Sequence, residues 1–163
     1  LYSGDVGAYT STLIMNENGT IEFFKDKYTI WQNSATNPYT ALMVPAEETL
    51  HITLRGYTES AIRESVEQNH QKSLKSVEKI VEDWMAVEEA IVGGIVYRLL
   101  PSILEERIKD LSLSNIEMDL IAKSQFEKYR HLEKGITIVE EIGYREAIRM
   151  YSKDPAAFRD LLL

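Results

Sequence analysis

Glu127 and His131 stand four residues apart, one helical turn, so on a helix they share a face. That spacing is part of what a carboxylate-bridged two-metal site in a helical bundle needs. Such a site takes a Glu from each of two helices and a Glu-x-x-His pair from each of two more. Glu82, Glu88, Glu89, Glu140 and Glu141 could supply further carboxylates, but the chain has only three histidines, one per region. The pairs are incomplete. The set therefore reads as a solvated charged face, with Glu127 and His131 as a simple intrahelical pair, and no metal or other cofactor is expected.

Nucleophilic chemistry finds no better footing. Serines are plentiful, yet no Gly-x-Ser-x-Gly elbow occurs. Gly93-Gly94 runs into apolar residues and lacks the lysine of a phosphate-cradling loop. The absence of cysteine excludes thiolate nucleophiles, disulfides and Cys-ligated zinc or iron–sulfur centres.

Glu88 is the polar residue that stands out, because it falls among Trp84, Ile91 and Ile95 on an apolar repeat. A buried carboxylate is costly unless paired, and burial raises its pKa. One reading is a general acid/base or a ligand contact. The favoured reading is structural: Glu88 sits at the edge of the apolar face, or pairs with Arg98 or another base. His70 marks where the same helix leaves the core. Lys72, Lys75 and Lys79 form a basic stripe, but Glu78 and Glu82 interleave with it and neutralise it. Trp31, Trp84 and nine tyrosines offer aromatic surface, most of it core by default, with Tyr39 and Tyr57 as the exposed candidates near loops.

These residues must be held by elements, and the strongest periodicity lies between about Thr58 and Ile95. His70, Leu74, Val77, Val81, Trp84, Glu88, Ile91 and Ile95 recur at steps of four and three, the period of a helix face that stays on one partner. Ile80, Val87 and Gly94 widen that face. The spacing predicts one long helix from an N-cap at Thr58 to Gly93-Gly94, where the glycines mark a terminus, a kink or a close backbone approach. Pro101 is expected to open a separate helix to Leu111, because proline fits a first turn and clashes in a helix interior. A helix capped by Ser114 or Asn115 should end at Gly135. A further helical segment from Ile138 to Tyr151 is weak at Gly143, and Asp154-Pro155 opens a last short helix.

The N-terminal third reads as strands. Tyr9 to Met15 and Thr20 to Phe24 flank Asn16-Glu17-Asn18-Gly19, and Asn-Gly supplies the positive φ angles of a tight hairpin turn. Tyr28 to Trp31 and Tyr39 to Val44 follow, the latter stopped by Pro45. Leu50, Ile52 and Leu54 then alternate with His51, Thr53 and Arg55, a period of two. Asn18-Gly19-Thr20 also spells a glycosylation sequon, read as a turn that ends in Thr.

The expected fold class is therefore α+β. An antiparallel β-meander of about five strands, residues 1–57, precedes a helical subdomain, residues 58–163, organised around one long helix and packed with the sheet as one folding unit. With 44% apolar residues the chain can bury a core. The net charge is −8, with three bases against six acids in residues 1–57 and fifteen against twenty in residues 58–163. Nucleic acid is thus an unlikely partner. No apolar run is long enough to span a bilayer. The compartment stays open, with a soluble cytoplasmic one slightly favoured. The chain begins with Leu rather than Met and stops at Leu161-Leu162-Leu163, so it is expected to be part of a longer protein.

The leading function at this level is non-enzymatic. It is an interaction or assembly module, of the kind found in viral or phage structural and accessory proteins, that self-associates through Leu74, Val77, Val81, Trp84, Glu88 and Ile91. The alternatives are a small-molecule-binding or enzymatic domain, with its pocket between sheet and helices near Trp84 and Glu88, and a nucleic-acid-binding accessory domain.

Overall fold

Glu47, His51, Arg55 and Thr58 decide the fold, because they line the inner face of a helix instead of the wet face of a strand. The structure, a computed structural model, describes residues 11–15, 21–25, 38–69, 73–107 and 129–163. Among these residues the chain is all-α, with five helices: α1 (Pro38–Gln68), α2 (Leu74–Arg107), α3 (Leu132–Ile142), α4 (Tyr144–Lys153) and α5 (Pro155–Leu162). The expected α+β class is overturned. The strands expected at Tyr39 to Val44 and at Leu50 to Arg55 are both turns of α1, and the boundary expected between residues 57 and 58 falls inside it.

The misreading has a physical cause. Val44, Glu47, His51, Leu54, Arg55, Thr58, Ile62 and Val66 are all less than a tenth exposed, and they follow one another at helical spacing. Half of that face is polar, so a search for apolar periodicity misses it and sees only the alternation of Leu50, Ile52 and Leu54. Pro45 does not stop the helix. A proline in a helix interior costs about 3 kcal/mol. Fully burying each of Met43, Val44 and Leu54 returns about 1.5–3 kcal/mol, and all three are within 1% of complete burial.

Two strands, β1 (Ser11–Met15) and β2 (Ile21–Lys25), pair antiparallel with Ser11 opposite Lys25 and Met15 opposite Ile21. They make a hairpin, not the layer of a five-stranded sheet. Ile21 reaches the core and the Arg63 guanidinium of α1 lies 5.5 Å from the Phe23 ring. The expected strand at Tyr28 to Trp31, the sequon at residues 18–20 and the helix expected after Ser114 lie outside the described residues.

The long helix expected from Thr58 is two helices. Its first part is the end of α1, and its second is α2, which runs through Gly93, Gly94 and Pro101 to Arg107. The glycines are a close approach, one of the three expected roles. A Cβ on Gly94 would stand 2.6 Å from the Gly135 carbonyl oxygen, and one on Gly135 would stand 2.1 Å from that of Ala90. Gly135, expected to end a helix, is therefore an interior residue of α3 that lets two backbones touch. α2 is packed by α1 on one side and α3 on another. Gly143, at φ +82°, separates α3 from α4. The Asp154 carboxylate caps α5 by accepting from the Ala157 N–H at 3.1 Å, with Pro155 at the first helical position. No helix among the described residues is long and apolar enough to cross a membrane.

Candidate functional site

Six polar side chains of α1 are buried where a helix of this length ordinarily presents Leu and Ile: Glu47, Glu48, His51, Arg55, Thr58 and Glu59. Three of them, His51, Arg55 and Thr58, meet Glu88 of α2, which is fully buried. His51 Nδ1 is 2.7 Å from Glu88 Oε1 and the Arg55 guanidinium is 2.7 Å from the same oxygen. Thr58 donates its hydroxyl proton to Glu88 Oε2. A carboxylate thus collects three donors from successive turns of one helix, which is how a charge survives in a core.

The donor logic orders the rest. Thr58 has one proton and spends it on Glu88, so the Tyr151 hydroxyl of α4, 2.8 Å away, donates to Thr58 Oγ1. The Thr58 contact with the Leu54 carbonyl is stretched to 3.4 Å accordingly. Burial and the Glu88 carboxylate together push the Tyr151 hydroxyl well above the usual phenol range. The other guanidinium nitrogen of Arg55 lies 2.9 Å from Met85 Sδ.

The outer end of this layer is richer in carboxylates. Tyr129, just before α3, donates to Glu47, and burial beside Glu47, Glu89 and Glu48 drives its hydroxyl far above the usual range. Glu89 is half-buried on α2. Burial raises its pKa, the neighbouring His51 opposes that rise, and Glu88 adds to it.

His51 is the group with spare capacity. Because a carboxylate only accepts, Nδ1 carries the proton toward Glu88, and in the neutral ring Nε2 holds a free electron pair. That arrangement, an imidazole oriented through one nitrogen so that the other can work, serves proton transfer and metal ligation alike. As the side chains stand, no group of three or more His, Asp or Glu among the described residues is arranged around an ion.

The expected site residues are distributed as follows. Glu88 is buried and paired, with Arg55 and His51 in place of the expected Arg98, which is exposed. Val77, Trp84, Glu88 and Ile91 are buried inside the chain, Val81 is half-buried, and Leu74 is 57% exposed. The apolar face proposed as an interface is thus largely covered by the chain's own helices. Trp84 donates its indole N–H to Ser65 Oγ at 2.8 Å, and the Arg159 guanidinium lies 4.8 Å above its ring. A cleft of about 300 Å³ beside it is lined by Tyr57, Ser65, Trp84 and Arg159, between α1 and the α4–α5 junction. It is not between a sheet and helices, and Glu88 does not line it. Lys75, Glu78, Lys79 and Glu82 are all exposed, as are Glu140 and Glu141. His131 precedes α3, while Glu127, His70, Lys72 and Trp31 lie outside the described residues.

What sequence reasoning missed is Glu47-Glu48-Thr49-Leu50-His51. The signal was there: Glu47 and His51 are four apart with a second Glu between them. It carries meaning only if the stretch is a helix, and the stretch was read as a strand. Comparison of the chain with protein-family models, curated proteins and solved structures finds no match.

Proposed function

We propose that the chain is a hydrolytic domain whose working group is His51, oriented by Glu88. The observation that carries this reading is the His51–Glu88 contact, which occupies Nδ1 and leaves the Nε2 electron pair for chemistry. Stability gives no reason for such a layer. Apolar residues of similar volume commonly replace buried ion pairs at no cost or with a gain.

In the reaction a water molecule gives up a proton within this cluster as its oxygen attacks an electrophilic carbonyl or phosphoryl centre. The leaving group takes the proton back as its bond breaks. Self-association through α2 has less support, because that helix already spends most of its apolar face on α1 and α3. The test is a panel of generic esters, phosphomonoesters and peptides, offered to the wild-type chain and to His51→Gln. Turnover lost by about 10²–10⁴-fold in His51→Gln, the usual worth of a positioned acid–base group, supports the reading. No turnover across the panel, or equal turnover in the variant, overturns it.

A further inference from the structure

We propose that the cleft beside Trp84 binds a small zwitterion of the amino-acid class, its carboxylate on Arg159 and Lys153 and its ammonium toward Glu64. The proposal stands apart from His51 and from the hydrolytic reading. The cleft, of about 300 Å³, is at the small end of the range for ligand sites. One wall is α1, the other is the junction of α4 with α5, and Trp84 reaches it from α2.

Arg159 carries the argument. Its guanidinium lies 4.8 Å from the centre of the Trp84 ring, within cation–π range. Trp84 is itself fixed, being 4% exposed with its indole N–H bonded to Ser65. A guanidinium is all donors, yet among the described residues no N–H of the Arg159 side chain makes a hydrogen bond. Nε is buried without a partner, and the Asp160 carboxylate stands 3.6 Å from Nη2, beyond hydrogen-bond reach. The side chain is 37% exposed, so its head remains open to a ligand. A planar fork of donors, held in place and left unbonded, suits a carboxylate. Lys153, on the same wall, is exposed and has no ion pair among the described residues.

The carboxylates of the lining decide the other end of the ligand. Asp154 is committed to the start of α5, where it accepts from the Ala157 N–H at 3.1 Å. Glu64 stands exposed on the α1 wall, and among the described residues no ion pair joins it to Lys153 or Arg159. The cleft is thus acidic on α1 and basic on the α4–α5 side. A simple anion would face Glu64 and a simple cation would face Arg159, whereas a zwitterion satisfies both walls. Ser65 only accepts from Trp84, so its own proton is left for the ligand. Ala61, Pro155 and Ala156 supply the apolar surface for a small side chain.

The experiment is calorimetric titration of the chain with pools of free amino acids. The N-acetyl and carboxamide derivatives of whichever one binds, and inorganic phosphate, are the counter-probes. The expected result is one amino acid bound per chain, with affinity reduced by blocking either end. Arg159→Gln should weaken binding about 10–100-fold, the worth of hydrogen bonds to a charged group. Glu64→Gln should weaken the free amino acid but not its N-acetyl derivative, and Glu140→Gln, on α3, should change nothing. Circular dichroism accompanies each variant. If Arg159→Gln does not fold, the exposed Lys153→Gln and Glu64→Gln supply the comparison. No binding from any pool, or binding that survives Arg159→Gln, overturns the site. Equal affinity for the N-acetyl derivative, or binding of phosphate in place of amino acids, overturns the zwitterion.

Discussion

Glu88 binds three donors in a space that water does not reach, so its partners depend on it as much as it depends on them. Removing it by Glu88→Ala leaves the Arg55 guanidinium, 2.7 Å away in the core, without that carboxylate. Breaking a buried pair from one side costs about 3–5 kcal/mol, and urea denaturation should show a loss in that range. Glu88→Gln, which keeps the shape, should cost less. Tyr151→Phe removes one neutral hydrogen bond to Thr58 and should cost about 1 kcal/mol. Its pH dependence has a definite sign. The folded chain holds the Tyr151 proton above the ordinary phenol value, so the unfolded chain loses that proton first. The stability contributed by the neutral phenol is complete below about pH 10 and falls as pH rises beyond it. Denaturation of wild type and Tyr151→Phe on both sides of that value should show the gap between them narrowing in alkali. Glu88 was legible in the sequence as an anomaly on an apolar repeat. Its partners were not, because Arg55 and His51 come from a segment 33 and 37 residues away that no local pattern connects to it.

Two glycines separate local from tertiary constraint at the level of the helices. Gly56 lies within α1 and a Cβ there would meet nothing within 4 Å, so Gly56→Ala should stabilise by about 0.5–1 kcal/mol through helix propensity alone. Gly135→Ala offers the same local gain in α3, yet its Cβ would be driven to 2.1 Å from the Ala90 carbonyl. The helices must part, and overpacking of that kind costs about 1–3 kcal/mol or more. Thermal melts of the two variants should therefore move in opposite directions. Equal shifts would mean that the α2–α3 crossing is looser than described. The sequence marked Gly135 as a helix end, since glycine carries the same local penalty wherever it stands. Asp154-Pro155, by contrast, was read correctly, because a cap and a first-turn proline act within four residues of chain.

For the whole molecule, the apolar face of α2 is the test of how the chain spends its core. Val81 is half-buried against that core, so Val81→Asp should lower the unfolding free energy by placing an unpaired charge there, about 2–4 kcal/mol by analogy with other buried polar groups. Light scattering over a hundredfold range of concentration accompanies the melt. A destabilised variant whose mass equals that of the wild type would assign the face to the interior. A wild-type oligomer that dissociates while the fold survives would assign it to an interface. The sequence by itself determined that the first two strands form a hairpin, the helical nature of the C-terminal part, the apolar stripe of α2 and the cap of α5. Each depends on dihedral preference or spacing within a few residues. Tertiary structure alone decided that residues 38–68 form a helix, that the glycines of α2 and α3 touch, and that His51, Arg55 and Thr58 share a layer with Glu88. A polar inner face has no hydrophobic period to announce it. It becomes stable, and recognisable, only when a second helix brings the charge that completes it.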